Sequence, residues 1–434
     1  MLITDDSAPF QEAYRHLLAG TDQPDWLRSQ RQAGMERFTD LGFPTRRQEA
    51  WRFTDLEQLT AQPRLPSLDG APPLPADLLE PWRLAGKTHR LVLVNGRFEP
   101  ALSTIGTLPD GVWLAPLAET VLRRPDVAAM AFGADGNAFA FLNAALFTDG
   151  AVLVLAPGTV LEMPVEIIHY STGDTQVSAH PRLRVMLGDG ARATLVETAA
   201  GDGNGWTNAV IDVTLGADAE LTHVHVQGEG ADAAHTSLLT AELGSRARYR
   251  TFALITGASL SRRDMQVTLS GPGAVFTLHG AYLLDGGQEA TLAVRADHKV
   301  PDCRTEEVVK GVLQGAAHGV FLGTVAVRPG ADGTDARQLN RNLLLSPSTR
   351  VDTKPELEIF ADDVKCSHGA TVGSLDEAAL FYLQARGIDP VTARSMLVAA
   401  FAAEVIDAAG LEGEVEALLR RHLARWLGGE GGLG

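Results

Sequence analysis

Cys366 and His368 stand two residues apart in ADDVKCSHGAT (361–371), just after Asp362-Asp363 and just before a glycine. A thiolate and an imidazole at i and i+2 of one strand point to the same face, where the two are able to share a metal ion or cluster. The only other cysteine, Cys303, lies in HKVPDCRTEE with His298 five residues before it. That separation, beside a proline, sets no geometry. A third candidate is His223-Val-His225 in a strand-like segment. Such a pair begins the metal site of some β-barrel oxygenases. No carboxylate and third histidine are recognisable to complete it, so it reads as surface or rung-stacking histidines. For each cysteine the plain alternative is a small buried residue, in the case of Cys366 beside a hydrogen-bonded histidine. Two cysteines exclude a disulfide framework, and also a cluster held by four thiolates of this chain alone. A thiolate-held metal would need ligands from histidine, carboxylate or another chain.

Other chemistries lack their signatures. The sequence has no Gly-x-Ser-x-Gly elbow, no cysteine-protease context and no Gly-x-x-x-x-Gly-Lys-Ser/Thr phosphate loop. Carbohydrate-active β-helix enzymes line a groove with aromatic and basic residues and act outside cells. Here aromatics are 6%, and MLITDDSAPFQEAY carries acids where an export signal needs a basic start. No apolar run reaches the roughly 18 residues of a membrane span. A net charge of −17 disfavours nucleic acid and anionic membrane as partners. A cytoplasmic protein is expected.

The elements that must carry these residues fall into three regions. Within residues 1–148, apolar spacing predicts helices over Pro9–Leu18 and Trp26–Phe38, stopped by Gly20 and Gly42. QPRLPSLDGAPPLPADLLEP (62–81), with six prolines, is a stiff connector. Strand-like LVLV (91–94) and VWLA (112–115) follow, then a helix over 128–146. Residues 149–373 are strand-rich and repeat. MLGDGARATLVE, TLGADAELTHVH and ELGSRARYRTFA place Leu187, Leu215 and Leu243 28 apart, and likewise Ala191, Ala219 and Ala247; TLSGPGAVFTLH, with Ala274, is a weaker fourth copy. A period of this size in a strand-rich segment predicts stacked rungs, a β-helix or β-solenoid, with a β-sandwich as the alternative. In LEIFADDVKCSHG the apolar phase slips at Asp362-Asp363, as at a corner between two strands. Residues 374–434 predict a helical unit. A capping box Ser374-Leu-Asp-Glu377 opens the first helix, Asp389-Pro390 the second, and a third carries Val415, Leu418, Leu419 and Leu423 on one face. The GGEGGLG tail is expected to be disordered.

FADDVKCSHGATVGSLDEAALFYLQARGID (360–389), PTRRQEAWRFTDL (44–56), GVFLGTVAV (319–327) and ARQLNRNLLLS (336–346) resemble, in order along the chain, the SufB/SufD family of iron–sulfur cluster assembly scaffolds. The resemblance favours the SufD branch. SufB typically has His-Glu-Ala-Thr-Thr where this chain has His368-Gly369-Ala370-Thr371, and it carries more cysteines. The resemblance implies a right-handed β-helix core between N-terminal and C-terminal helical domains. It implies pairing with SufB through the β-helix, and docking of the ATPase SufC on the helices after Ser374. It also implies a transient iron–sulfur cluster at the subunit interface, with His368 as this chain's ligand, Cys366 beside it and partner thiolates completing the set. No permanently bound cofactor and no catalytic turnover of its own are expected, and a homodimer is possible when the chain is alone.

Overall fold

The computed structural model describes residues 6–20, 23–66, 73–130, 136–173 and 177–428. Most of the GGEGGLG tail, part of the proline-rich connector and the centre of the 128–146 segment lie outside the described residues.

The repeat is the fold's organising unit. Leu187, Leu215 and Leu243 sit side by side, in register, on the parallel strands Arg182–Leu187, Trp206–Leu215 and Ala234–Leu243. Ala191, Ala219, Ala247 and Ala274 are fully buried at the turn that follows. The residue before each alanine is left-handed, with φ of 67° at Gly190, 56° at Asp218, 55° at Arg246 and 73° at Gly273. Glycine adopts this freely, whereas Asp218 and Arg246 are held there against about 1–3 kcal/mol of strain by the rungs on either side. Among the described residues, successive strands from Arg182–Leu187 onward alternate between two sheets, of 11 and 10 strands, and form a β-solenoid. One apolar core fills it from Leu91 to Ala336. Its strands are buried on both faces in the middle of the stack, so their apolar runs are nearly continuous. The strands His89–Val94 and Val112–Pro116 add to the two sheets, the first parallel to Val165–Ser171, the second antiparallel to Gly150–Leu155.

Helices cover opposite outer faces. Helices α1 (Ala8–Ala19), α2 (Asp25–Leu41) and α3 (Glu57–Ala61) precede the proline-rich connector. Helices α4 (Leu117–Arg123), α5 (Pro125–Ala129) and α6 (Ala138–Leu146) follow the first strands. The expected 128–146 helix is thus divided: Asn137 accepts from the Ala140 N–H at 3.0 Å and starts α6 anew. Phe10, Phe38, Phe139 and Trp51 pack on Trp206 and Leu260 of the larger sheet. The PTRRQEAWRFTDL segment is the clamp there. The Arg262 guanidinium lies 3.7 Å over the Trp51 ring and donates to Thr54 at 2.8 Å.

On the smaller sheet, Val226, Phe252, Leu254 and Leu283 bury against helices α8 (Pro390–Ala408) and α9 (Gly413–Gly428), which follow α7 (Glu377–Ala385). Trp82, at the end of the connector, stacks on His422 of α9 at 4.8 Å. It also covers Gly228, where a Cβ would meet its ring at 2.4 Å.

Two caps test the helix reading. The cap of α7 is Asp376, whose side chain accepts from the Ala378 and Ala379 N–H groups, so Glu377 is the first helical residue and Ser374 lies outside. Ser374 and Asp376 are both residues of capping type, and the spacing to Glu377 points to Ser374 while the geometry selects Asp376. Asp389 caps α8 as expected, accepting from Val391 and Thr392 at 3.1 Å and 3.0 Å. Its Thr392 hydrogen bonds, side chain and backbone, hold its carboxyl below the usual range. Asp389→Ala should lower the denaturant midpoint, because two N–H groups of the first turn lose their acceptor.

Candidate functional site

A solenoid must end, and this one ends with its edges open. The last strand of each sheet, Arg350–Ile359 and Lys365–Gly373, is paired on one side only, to His318–Val327 and to Asp335–Leu344. Among the described residues nothing pairs with their outer edges. The chain crosses between them at Asp362-Asp363, where the Asp363 carbonyl accepts from the Gly333 N–H at 2.7 Å. Leu357 and Ala361 before this corner, and Val364 and Cys366 after it, all pack on the apolar core, which accounts for the phase slip in the sequence.

Cys366 and His368 pair in register with Ala336 and Gln338 of the preceding rung, both buried. Cys366 is half-buried and His368 exposed, because no further rung covers them. Burial pushes the Cys366 thiol up, so it is protonated at neutral pH. Ile359, Phe360 and Val372 are exposed at the same end. Helix α7 buries none of its residues, and Phe381 and Tyr382 project from it, 73% and 56% exposed.

Cys303 is elsewhere. It continues the alanine column beside Ala274, fully buried, its Sγ facing the Gly271 carbonyl at 3.5 Å and its thiol pushed up by burial. His298 turns away from it to Thr305, with Nε2 2.8 Å from the hydroxyl. The two cysteines are both free.

The His223/His225 pair differs from its sequence reading. Both side chains are buried inside the solenoid. Glu197, from the rung before, faces them. Its carboxylate lies 3.3 Å from His223 Nε2, 3.4 Å from His225 Nδ1, 3.4 Å from His169 Nε2 and 3.8 Å from Arg263 Nη2 on the opposite sheet. A carboxylate and a third histidine are therefore present. They come from separate rungs, Val165–Ser171 and Arg192–Gly201, and no local spacing announces them. Burial alone would raise the Glu197 carboxyl, yet the three imidazoles hold it well below its usual range. Burial pushes His225 down to about 3 and lowers His223, so both are neutral. Glu197 and Arg263 then balance in charge. A neighbouring group continues the network: Glu229 accepts from Thr207 at 2.6 Å and lies 2.8 Å from His235.

Among the described residues no three His, Cys, Asp or Glu groups are arranged to hold a metal ion. The interior cluster is accordingly a polar network centred on one carboxylate. No helix among the described residues is long and apolar enough to cross a membrane.

Residues 169–401 match the family described as SUF system FeS cluster assembly, SufBD core domain, and residues 10–167 match the SufBD protein N-terminal region. An iron–sulfur cluster assembly SufBD family protein of Synechocystis is 33% identical over 90% of this chain and 89% of its own length. The iron–sulfur cluster assembly protein SufD of Escherichia coli is 30% identical, over 92% of this chain and 93% of its own. A chloroplastic protein of Arabidopsis thaliana, ABCI7, is 30% identical over 87% and 81%.

Proposed function

This chain belongs to the SufBD family of the SUF iron–sulfur cluster assembly system, and from that premise we propose that it is a SufD-type scaffold that helps build a cluster at an interface with a SufB-type subunit. The observation that carries the reading is the open solenoid end, where His368 is exposed beside two unpaired strand edges. Unpaired edges are templates for a second chain's strands. A partner stacked there brings its own side chains against His368.

The cluster is cargo here, assembled from iron and sulfide. An imidazole nitrogen suits iron, and partner thiolates complete the set that two separate, protonated cysteines of one chain do not supply. The exposed apolar residues of α7 suit docking of the ATPase subunit, SufC. Lys310 ties α8 to the solenoid through the Phe401 carbonyl at 2.8 Å and through Glu404, so movement of the helical unit reaches the sheet whose last strand bears His368. The chain acts as a scaffold, and ATP hydrolysis belongs to the partner. The packing of Cys366 on the core favours a second, narrower role for that one residue, as a structural member of the last rung.

The test is His368→Ala in cells that carry the partner subunits. The complex should co-purify as before, and its anaerobically measured iron and sulfide should fall by about tenfold or more. Unchanged iron and sulfide would leave the chain a structural partner only.

A further inference from the structure

One buried pair under the open end has no role so far. Glu307, on the strand Arg304–Leu313, and Gln338, on Asp335–Leu344, stand directly behind His368 in the ladder. Register runs Glu307↔Gln338↔His368 across three neighbouring strands. Glu307 is 1% and Gln338 3% exposed. Both are buried polar groups, with Phe321 and Val309 nearby in the core, and with Asn340 and Asn342 further along the strand satisfied by their own hydrogen bonds. Buried polar side chains of this kind are costly unless they are satisfied, and such groups call for an explanation.

Their hydrogen bonding is half complete. Gln338 Nε2 donates to Glu307 Oε2 at 3.0 Å. Gln338 Oε1 and Glu307 Oε1 are buried without a partner. The opposite sheet approaches the amide at Gly323, where a Cβ would come within 2.9 Å of Gln338 Nε2. With Nε2 committed to Glu307, the amide's acceptor remains available. The adjacent residue in register is His368, on a strand roughly 5 Å away. Burial pushes the Glu307 carboxyl up to about 8, so the pair stays mostly uncharged at neutral pH.

We propose that Gln338, held by Glu307, positions His368 by accepting one imidazole N–H, so that the other ring nitrogen faces the open end as a lone-pair donor. A ligating histidine ordinarily donates its second ring N–H to a fixed acceptor, which sets the tautomer and the ring plane. Here an amide oxygen on the neighbouring strand supplies that acceptor, and a buried acid orients the amide. Gln338 and Glu307 are positioning residues. The importance of this arrangement for cluster building rests on the ligand role proposed for His368.

The experiment separates the two claims. The full-length chain, labelled with 15N in histidine, is measured above the imidazole titration range. His368 is assigned by loss of its signals in His368→Asn. One neutral tautomer of His368 should predominate by roughly three- to tenfold, the worth of one net hydrogen bond. Gln338→Leu and Gln338→Met should both bring the ratio to that of a free imidazole, and Glu307→Leu should shift it partway in the same direction. An unchanged ratio in either folded Gln338 variant overturns the proposal. A shifted ratio together with undiminished cluster content in His368→Ala would support the positioning and overturn the ligand role.

Discussion

Glu197→Leu should destabilise the protein by about 3–5 kcal/mol, among the largest effects of any single substitution in the solenoid. The reason is the charge left behind. Arg263 is 1% exposed and Glu197 is the acid that faces it, at 3.8 Å. Removing the carboxylate leaves a buried guanidinium without its counter-charge, since the neutral His223 and His225 balance none. A shorter side chain on the surface would be absorbed by solvent, and here solvent is excluded. The double variant Glu197→Leu/Arg263→Met should recover most of the loss, because two apolar side chains of similar size replace a buried pair at little cost. Denaturant titration of the wild type, both single variants and the double variant closes the cycle. Equal destabilisation in the double variant and in Glu197→Leu would show that packing, and not charge, sets the cost.

The second large effect is on the pH dependence of stability, which should peak near pH 6.5–7. Burial holds His180, His225 and His422 at about 3 and His298 at about 4, against 6.5 for the unperturbed group. The folded values are lower, so the unfolded chain binds more protons between the two. Their contribution is fully present above about pH 6.5 and is lost as pH falls toward 3–4. Glu307 has the opposite sign. Burial raises it from 4.5 to about 8, so its contribution is fully present below 4.5 and is lost as pH rises through 8. Each proton is worth about 1.4 kcal/mol per pH unit. From pH 6.5 down to 4.5 these four histidines, joined by His223 and His279, which burial also lowers, outweigh the one glutamate, so stability is lost as pH falls. From 6.5 up to 8 the glutamate loses about 1.4 kcal/mol per unit, and His318, lowered by burial but raised on balance by Glu289 and Asp352, adds to the same loss. Denaturant midpoints across pH 4.5–8 check both limbs. Glu307→Gln should flatten the alkaline limb and leave the acid limb intact.

Much of the architecture was legible because the physics of a solenoid is local. A rung contacts only its neighbours, so the same positions recur: a leucine closing a strand, a left-handed residue, a small buried residue. The 28-residue spacing of Leu187, Leu215 and Leu243 therefore announced the stack. Asp389 announced a helix for the same reason, since a cap is settled by residues two and three positions away. The clamp of Trp51 under Arg262 was not legible. PTRRQEAWRFTDL stood out only as a family segment, and its partner lies more than two hundred residues further on.

The sites divide along the same line. Alternation placed Cys366 and His368 on one strand after a corner, and the cysteine count made them an incomplete set. The same alternation in His223-Val-His225 did not tell inside from outside, because period two names a shared face without naming which face it is. Only the stacking of separate rungs and the closure of two sheets brought Glu197, His169 and Arg263 to those histidines. Only the end of the stack left His368 exposed, while Gln338, one rung earlier in the same column, is buried. The chain's own pattern fixes which residues share a rung. What lies above, below and across from each rung decides whether it is core, buried charge or an exposed ligand.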